Sequence, residues 1–199
     1  MTSLYYYLGA QLPNLVYEQS IPMSSGSFIT LASYLMKPRD AALFECCTLD
    51  PDPKPNPNPD PNPEPAEKAK KPVKCTESKL LMRWREWERA LRLNLAKGRA
   101  KKLEREEEGI AEPPESPADA AAVAKHALSL ESPLEAELFL DKARWSAIEN
   151  FQNNEIFSSN AMYAYLLKLL LMERRAMFNI EEGFTEYNRL YADILGDTK

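Results

Sequence analysis

The sequence predicts an all-α protein, an irregular helical bundle interrupted by a proline-rich linker. Apolar residues recur at spacings of three and four along most of the 199-residue chain, as they do on one face of a helix. No alternating strand pattern is present, and six glycines provide few hairpin turns. Hydrophobic residues make up 44% of the chain, which is enough for a buried core.

The N-terminal part, residues 1–47, is predicted to contain two short helices. Ser24 to Ser27 supply capping chemistry before an apolar stripe of Phe28, Leu31 and Leu35. Pro38 is expected to end that helix, and Asp40 to cap another that reaches Cys46.

Residues 48–75 are predicted to be a disordered linker. Proline occupies every second position from Pro51 to Pro65. Each proline fixes φ, lacks an amide donor and keeps the preceding residue out of the α region. The run is therefore expected to be an extended spacer. Residues 76–199 are then the main bundle, which is expected to pack with residues 1–47 as one domain.

The main bundle is predicted to begin with a long helix from about Thr76. One face of this helix carries large apolar residues at steps of four, three, four and four: Leu80, Trp84, Trp87, Leu91 and Leu95. These side chains are expected to lie in the core. Gly109 and Pro113 to Pro114 are expected to end the helix.

Three further helices are predicted after this loop. Residues 118–130 are rich in alanine, and Ser132, Pro133 and Glu135 form a helix start with a capping box. Ser158 or Ser159 is expected to cap the most hydrophobic helix, which is apolar nearly all round and therefore central. Gly183 is expected to end or kink it before Phe184 to Leu195.

Neither a disulfide framework nor a membrane span is predicted. The three cysteines, Cys46, Cys47 and Cys75, form no Cys-x-x-Cys pair and are expected to be reduced thiols. The longest apolar run, Ala161 to Met172, is shorter than the ~20 residues that cross a bilayer. The N-terminus lacks the basic region of a signal peptide.

Catalysis, metal binding and cofactor binding are not predicted. His126 is the only histidine, and no glycine-rich phosphate loop is present. Asp141 lies within the apolar stripe between Leu138 and Trp145, where a carboxylate needs a partner. A structural ion pair with Arg174 or Arg92 is expected, and no enzyme activity.

The segment from Lys79 to Lys102 carries nine basic residues against two acids, Glu86 and Glu88. This basic helix could bind an acidic partner, anionic lipid or RNA, or it could pair with acidic helices of the same chain. The candidate partner-binding residues are Arg85, Arg89, Arg92, Arg99, Lys101 and Lys102. The net charge of −5 disfavours a dedicated nucleic-acid binder.

Four stretches resemble a bacterial family of unknown function that is encoded beside V/A-type ATPase subunits. They are the N-terminal MTSLYYYLGAQLP, Trp87 to Lys101, Leu140 to Trp145, and Phe157 to Arg175. That family is distantly similar to the C/d-type coupler of these ATPases, the helical protein between the rotor stalk and the membrane ring. The positions that match the C/d-type coupler are Tyr5, Tyr7 and Leu8; Asn94, Leu95, Arg99, Ala100 and Lys101; and Ala164 to Lys168 with Glu173.

The resemblance implies a non-catalytic accessory or stalk subunit of a V/A-type rotary ATPase. It would be cytoplasmic and held at the inner membrane by ATPase subunits, without a small-molecule substrate. The residues expected to be structural are Trp84, Trp87, Asn94, Asp141, Arg144, Trp145, Tyr165, Glu173 and Arg174. The alternative function is nucleic-acid binding through the basic helix at residues 83–102.

Overall fold

The computed structural model describes residues 5–52, 75–105, 109–114 and 119–177. These ranges contain the α-helices α1 (Tyr6–Gln11), α2 (Ser25–Leu35), α3 (Pro38–Ala42), α4 (Lys79–Lys102), α5 (Ala120–Ser129), α6 (Pro133–Gln152) and α7 (Ser159–Ala176). Short 3-10 turns lie at Leu43–Cys46 and Cys75–Glu77. No strand occurs in the described ranges, so the predicted all-α class is confirmed.

Serine side chains begin four of the helices. Ser24 accepts a hydrogen bond from the Ser27 amide at the start of α2, and Ser132 accepts one from the Glu135 amide at the start of α6. Ser158, rather than Ser159, caps α7 by accepting from the Ala161 amide. These bonds satisfy amides that have no partner within the first turn.

Two predicted helix starts are wrong, for local reasons. Asp40 does not cap a helix, because α3 already begins at Pro38, whose fixed φ suits the first helical position. Asp40 instead accepts a hydrogen bond from the Tyr5 hydroxyl. The helix α4 starts at Lys79 rather than Thr76, because Ser78 is its cap and accepts from the Leu81 amide.

Helix α7 lies at the centre of the bundle, as its apolar surface predicts. It contacts α2, α4 and α6, and nine of its residues, from Ala161 to Met172, are buried. The core also includes Leu8 and Phe28 of the N-terminal part together with Trp84 and Trp87 of α4. Residues 5–52 therefore share one hydrophobic core with the later helices.

The chain on both sides of the proline repeat is attached to the bundle. A disulfide joins Cys46 to Cys75, whose Cα atoms are 5.6 Å apart, so the prediction of reduced thiols is wrong for these two residues. Cys47 is free and buried. Disulfides depend on proximity in the fold, which two residues separated by 29 positions do not reveal in sequence.

Residues 48–52, here called the 48–52 segment, lie against α4, although the linker was predicted to begin at 48. The proline repeat beyond Asp52 lies outside the described residues, as does the predicted Phe184 to Leu195 helix. Of the described helices, none has the length and apolar character that crossing a bilayer requires.

Candidate partner-docking surface on the basic helix

One side of α4 is held by a buried charge network. Glu88 and Asp141 are fully buried, and Arg144 is 4% exposed. The Arg144 guanidinium donates through Nε and Nη2 to the two Glu88 oxygens, at 3.0 and 3.1 Å, and through Nη1 to Asp141 Oδ1 at 2.9 Å. Because all three charges lie away from water, each depends on the others for compensation.

The network continues from Asp141 to the neighbouring helix α7. Arg174 Nη1 lies 3.3 Å from Asp141 Oδ1, and Arg174 Nη2 donates to Glu137 Oε2 at 2.8 Å. Arg174 is one of the two partners that the sequence suggested for Asp141. Arg92, the other, contacts Glu88 instead, with its Nε 2.9 Å from Glu88 Oε1. We call Glu88, Arg92, Glu137, Asp141, Arg144 and Arg174 the arginine network.

Asp141 is the least well compensated member of the arginine network. Its Oδ2 atom is buried and has no hydrogen-bond partner among the described residues. Burial raises the pKa of the Asp141 carboxyl, although the nearby charges of Arg174 and Arg144 act to lower it. Asp141 thus links α6 directly to α7, and it is connected to α4 through Arg144.

The 48–52 segment is fixed to the same side of α4 by three residues of that helix. The Trp84 indole Nε1 donates to the Thr48 carbonyl at 2.9 Å. Arg89 Nε donates to Asp52 at 3.0 Å, and Arg92 donates to Asp50 at 3.1 Å and to the Leu49 carbonyl at 2.8 Å. Two of the predicted partner-binding arginines are therefore used within the chain.

The other predicted partner-binding residues lie in different surroundings. Arg99 is exposed and its Nη2 is 3.9 Å from Glu137 Oε1, a weak pair. Arg85 is half-buried, and its Nε has no hydrogen-bond partner in the described part of the chain. Lys101 and Lys102 are exposed, and Lys102 donates to the Leu128 carbonyl of α5.

An open groove of about 480 Å³ lies between the C-terminal half of α4 and α5. Among the described residues no carboxylate lines it, and its charged lining residues are four lysines. These are Lys97, Lys101, Lys102 and Lys125. Its floor is made of small or apolar residues: Gly98, Ala121, Ala124 and Leu128. We call this feature the lysine groove.

The lysine groove depends on the close approach of α4 to α5. A Cβ atom added at Gly98 would overlap the Leu128 side chain, so glycine allows the two helices to meet there. Lys97 pairs with the exposed Glu112 at 2.7 Å. Lys101 and Lys125 are exposed and have no ion pair among the described residues. An acidic partner can therefore reach the positive charges of these two lysines.

The remaining predicted structural residues make hydrogen bonds either to another part of the fold or within their own helix. Glu173 accepts from the Ser25 amide and hydroxyl, at 2.7 and 2.8 Å, at the start of α2. The Tyr165 hydroxyl donates to the Pro13 carbonyl at 3.0 Å, and the Trp145 indole donates to Glu149 at 2.9 Å. Asn94 donates to the Ala90 carbonyl of its own helix at 2.8 Å.

Two residues of the candidate site, Glu88 and Lys125, could not be identified from the sequence. Glu88 counted only as one of two acids on a basic helix, yet it is the buried centre of the arginine network. Its position one residue after the core residue Trp87 was a weak signal. Lys125 was overlooked because it lies in the alanine-rich α5, 24 positions beyond Lys101.

His126 and the acidic residues are the remaining candidates for catalysis or metal binding in the described ranges. His126 is exposed, with its ring 4.5 Å from the Phe139 ring. Within the described ranges, no three His, Cys, Asp or Glu residues are grouped so that they could hold a metal ion. Comparison with known proteins finds no matching family model, no matching curated protein and no matching solved structure.

Proposed function

We propose that this protein is a non-catalytic docking protein that binds an acidic surface of another protein through the lysine groove. One observation carries the proposal: Lys101 and Lys125 border an open groove that no carboxylate of the described residues lines, whereas Arg89 and Arg92 of α4 are neutralised internally. Exposed charges of one sign accelerate association and select partners of the opposite sign.

The partner that we propose is a component of a V/A-type rotary ATPase, in its stalk or beside its membrane ring. The support is the sequence resemblance in the four stretches described above. Two of them contribute to the groove or its support, since Trp87 to Lys101 forms much of α4 and Leu140 to Trp145 contains Asp141 and Arg144. The protein would act as a rigid helical adaptor.

The disulfide bears on where this docking takes place. A Cys46–Cys75 bond is uncommon in a reducing cytosol, so it counts against the cytoplasmic location that the resemblance implies. Nucleic-acid binding through the basic helix at residues 83–102 has less support. Three of its arginines face acidic residues of the chain, with Arg99 the most loosely paired.

Affinity purification tests the proposed partner. The full-length tagged chain, isolated from gently solubilised membranes of its own source, is expected to recover V/A-type ATPase subunits. The charge-reversed variant K101E/K125E should recover fewer of them, and high salt should have the same effect. The matched control is K79E/K142E, which reverses two exposed lysines outside the groove. Recovery of no ATPase subunit from wild-type preparations would refute the ATPase assignment.

A further inference from the structure

We infer that the lysine groove receives an acidic amphipathic helix of the partner, with a narrow ridge of small apolar side chains bordered by carboxylates. This inference deepens the proposed docking function and rests on it. It specifies the kind of partner element, which neither the all-α fold nor the basic charge of α4 identifies.

The length of the groove suits a helix. Its α4 side extends from Asn94 to Lys102, which corresponds to about 12 Å at 1.5 Å per residue, or roughly two helical turns. On α4 the lining residues recur at steps of three and one, so they form one continuous face. An open channel of this length between two helices presents an elongated surface rather than an enclosed small-molecule pocket.

The floor of the groove selects small apolar side chains. Ala121 is exposed, and Ala124 is buried beside it in the same helix. Because these alanines have short side chains, the backbone of a third helix can approach α5 closely. An amphipathic helix laid into such a groove contributes apolar contacts every three or four residues.

The borders of the groove select carboxylates. Lys101 lies on the α4 side and Lys125 on the α5 side. Lys97 adds a third positive charge, with its partner Glu112 89% exposed and therefore weakly held. Acidic residues on both flanks of an apolar ridge would meet lysines on both sides, so charge fixes the orientation of the bound helix.

Single-stranded nucleic acid fits these residues less well. Proteins that bind it stack bases on aromatic side chains, and none of the described residues that line the groove is aromatic. Its charged residues are lysines, which lack the planar guanidinium that stacks on bases and pairs with phosphate at two points. An acidic helix uses both the apolar floor and the lysine borders, whereas nucleic acid uses only the borders.

The test uses the isotopically labelled full chain and a synthetic helical peptide of about 20 residues. The peptide has an alanine stripe flanked by glutamates, and a matched peptide has glutamine at every glutamate. We expect the acidic peptide to shift the NMR signals of Gly98, Lys101, Ala121 and Lys125. The glutamine peptide should bind about tenfold more weakly or not at all.

Variants of the chain locate the binding site. K101E/K125E should weaken binding of the acidic peptide about tenfold or more, whereas K79E/K142E should leave it within about twofold. Replacing Ala121 with Trp, which keeps every lysine, should weaken binding by blocking the floor. Unchanged spectra of the rest of the chain show that each variant is folded.

Several outcomes would overturn the inference. These are shifts that lie outside the groove, equal binding of the glutamine peptide, or equal weakening by K79E/K142E. Binding of a single-stranded oligonucleotide or an anionic phospholipid vesicle at the groove, without binding of the acidic peptide, would also overturn it. Recovery of ATPase subunits tests the proposed partner separately. Peptide binding without that recovery refutes the ATPase assignment alone. Recovery that K101E/K125E weakens, without peptide binding, refutes the helix inference alone.

Discussion

Two stretches of α4, residues 85–92 and residues 97–102, are both rich in positive charge but use it differently. In the first, Arg89 and Arg92 face Asp52, Asp50 and the buried Glu88. In the second, Lys101 faces an open groove. An excess of basic residues therefore does not mark a binding surface by itself. The position of the chain's own carboxylates decides which stretch remains available.

The side-chain chemistry of the two stretches matches their settings. A guanidinium holds several acceptors in a fixed plane, as Arg144 does with Glu88 and Asp141. A lysine ammonium is a hydrated point charge on a flexible stem, which keeps it in water beside the groove. Arginine is thus suited to the internal network, and lysine to an adjustable surface.

The largest effect is expected from Glu88→Gln, which tests whether the arginine network is truly internal. The substitution keeps the volume but leaves buried Arg144 with only Asp141 as a charged partner. We expect a loss of about 3–5 kcal/mol in the free energy of unfolding, measured by urea denaturation.

Glu86→Gln is the matched control, since Glu86 lies on the same helix and is only half-buried. It should cost no more than about 0.5 kcal/mol. Equal costs for the two variants would mean that Arg144 is compensated by something other than Glu88, and the contrast between the two stretches of α4 would lose its basis.

Removing the disulfide should have the next largest effect. Cys46→Ala with Cys75→Ala opens a loop whose ends are 29 positions apart, which is expected to cost about 2–4 kcal/mol. A reductant should lower the free energy of unfolding of the wild-type protein, measured by urea denaturation, by a similar amount. It should leave that of the double variant unchanged. A wild-type urea midpoint that does not change when the reductant is added would count against the Cys46–Cys75 disulfide.

The same experiment separates the two stretches of α4. The disulfide anchors the chain just before the 48–52 segment, which supplies Asp50 and Asp52 to the arginines. NMR shift changes on reduction should therefore concentrate around Arg89 and Arg92. Changes of equal size at Lys101 and Lys125 would show that the lysine groove is coupled to that segment.

The buried Asp141 carboxyl should make the stability of the arginine network depend on pH. Burial raises its pKa in the folded protein above the value of about 3.9 in the unfolded chain. The folded state therefore binds the proton more tightly, and the stabilisation from protonation is present below about pH 4 and lost as pH rises through the folded pKa.

Asp141→Asn removes this titration. The wild-type free energy of unfolding, measured relative to Asp141→Asn, should fall as the pH is raised from about 4 to about 7. Asp119→Asn, at an exposed position before α5, serves as the control. A relative stability that rises over this range would mean that Arg174 and Arg144 outweigh the burial of the carboxyl.

The sequence was informative where a structure depends on neighbouring residues. Ser132 is predicted to be a helix cap, and the caps Ser24 and Ser158 lie among the serines predicted for their helix starts, because the bonded amide is only three residues away. Trp84 and Trp87 were predicted to be core residues from helical spacing, and both are buried. In these places local chemistry and the fold agree.

The candidate site depended instead on residues far apart in sequence. Glu88 meets Arg144 across 56 positions, and no periodicity predicts that pairing. The lysine groove combines α4 with α5, so the charge pattern of one helix could not define it. Six basic residues were proposed as one surface because helical spacing does not show where Asp50, Asp52 and Glu137 will lie.

The sharpest comparison of the two stretches removes two positive charges from each setting. Arg89→Gln with Arg92→Gln takes a donor from buried Glu88 and releases the 48–52 segment, so a cost of about 1–3 kcal/mol is expected. Lys101→Gln with Lys125→Gln breaks no ion pair among the described residues and should change stability by only about 0.5 kcal/mol.

For binding of the acidic peptide, the two variants should rank the other way: the lysine variant should bind the peptide more weakly than the arginine variant does. The arginine pair should affect stability more and the lysine pair should affect binding more, because charges that are paired inside the protein are no longer available to a partner. If the lysine variant instead lost as much stability as the arginine variant and bound the peptide normally, Lys101 and Lys125 would belong to the structure of the bundle.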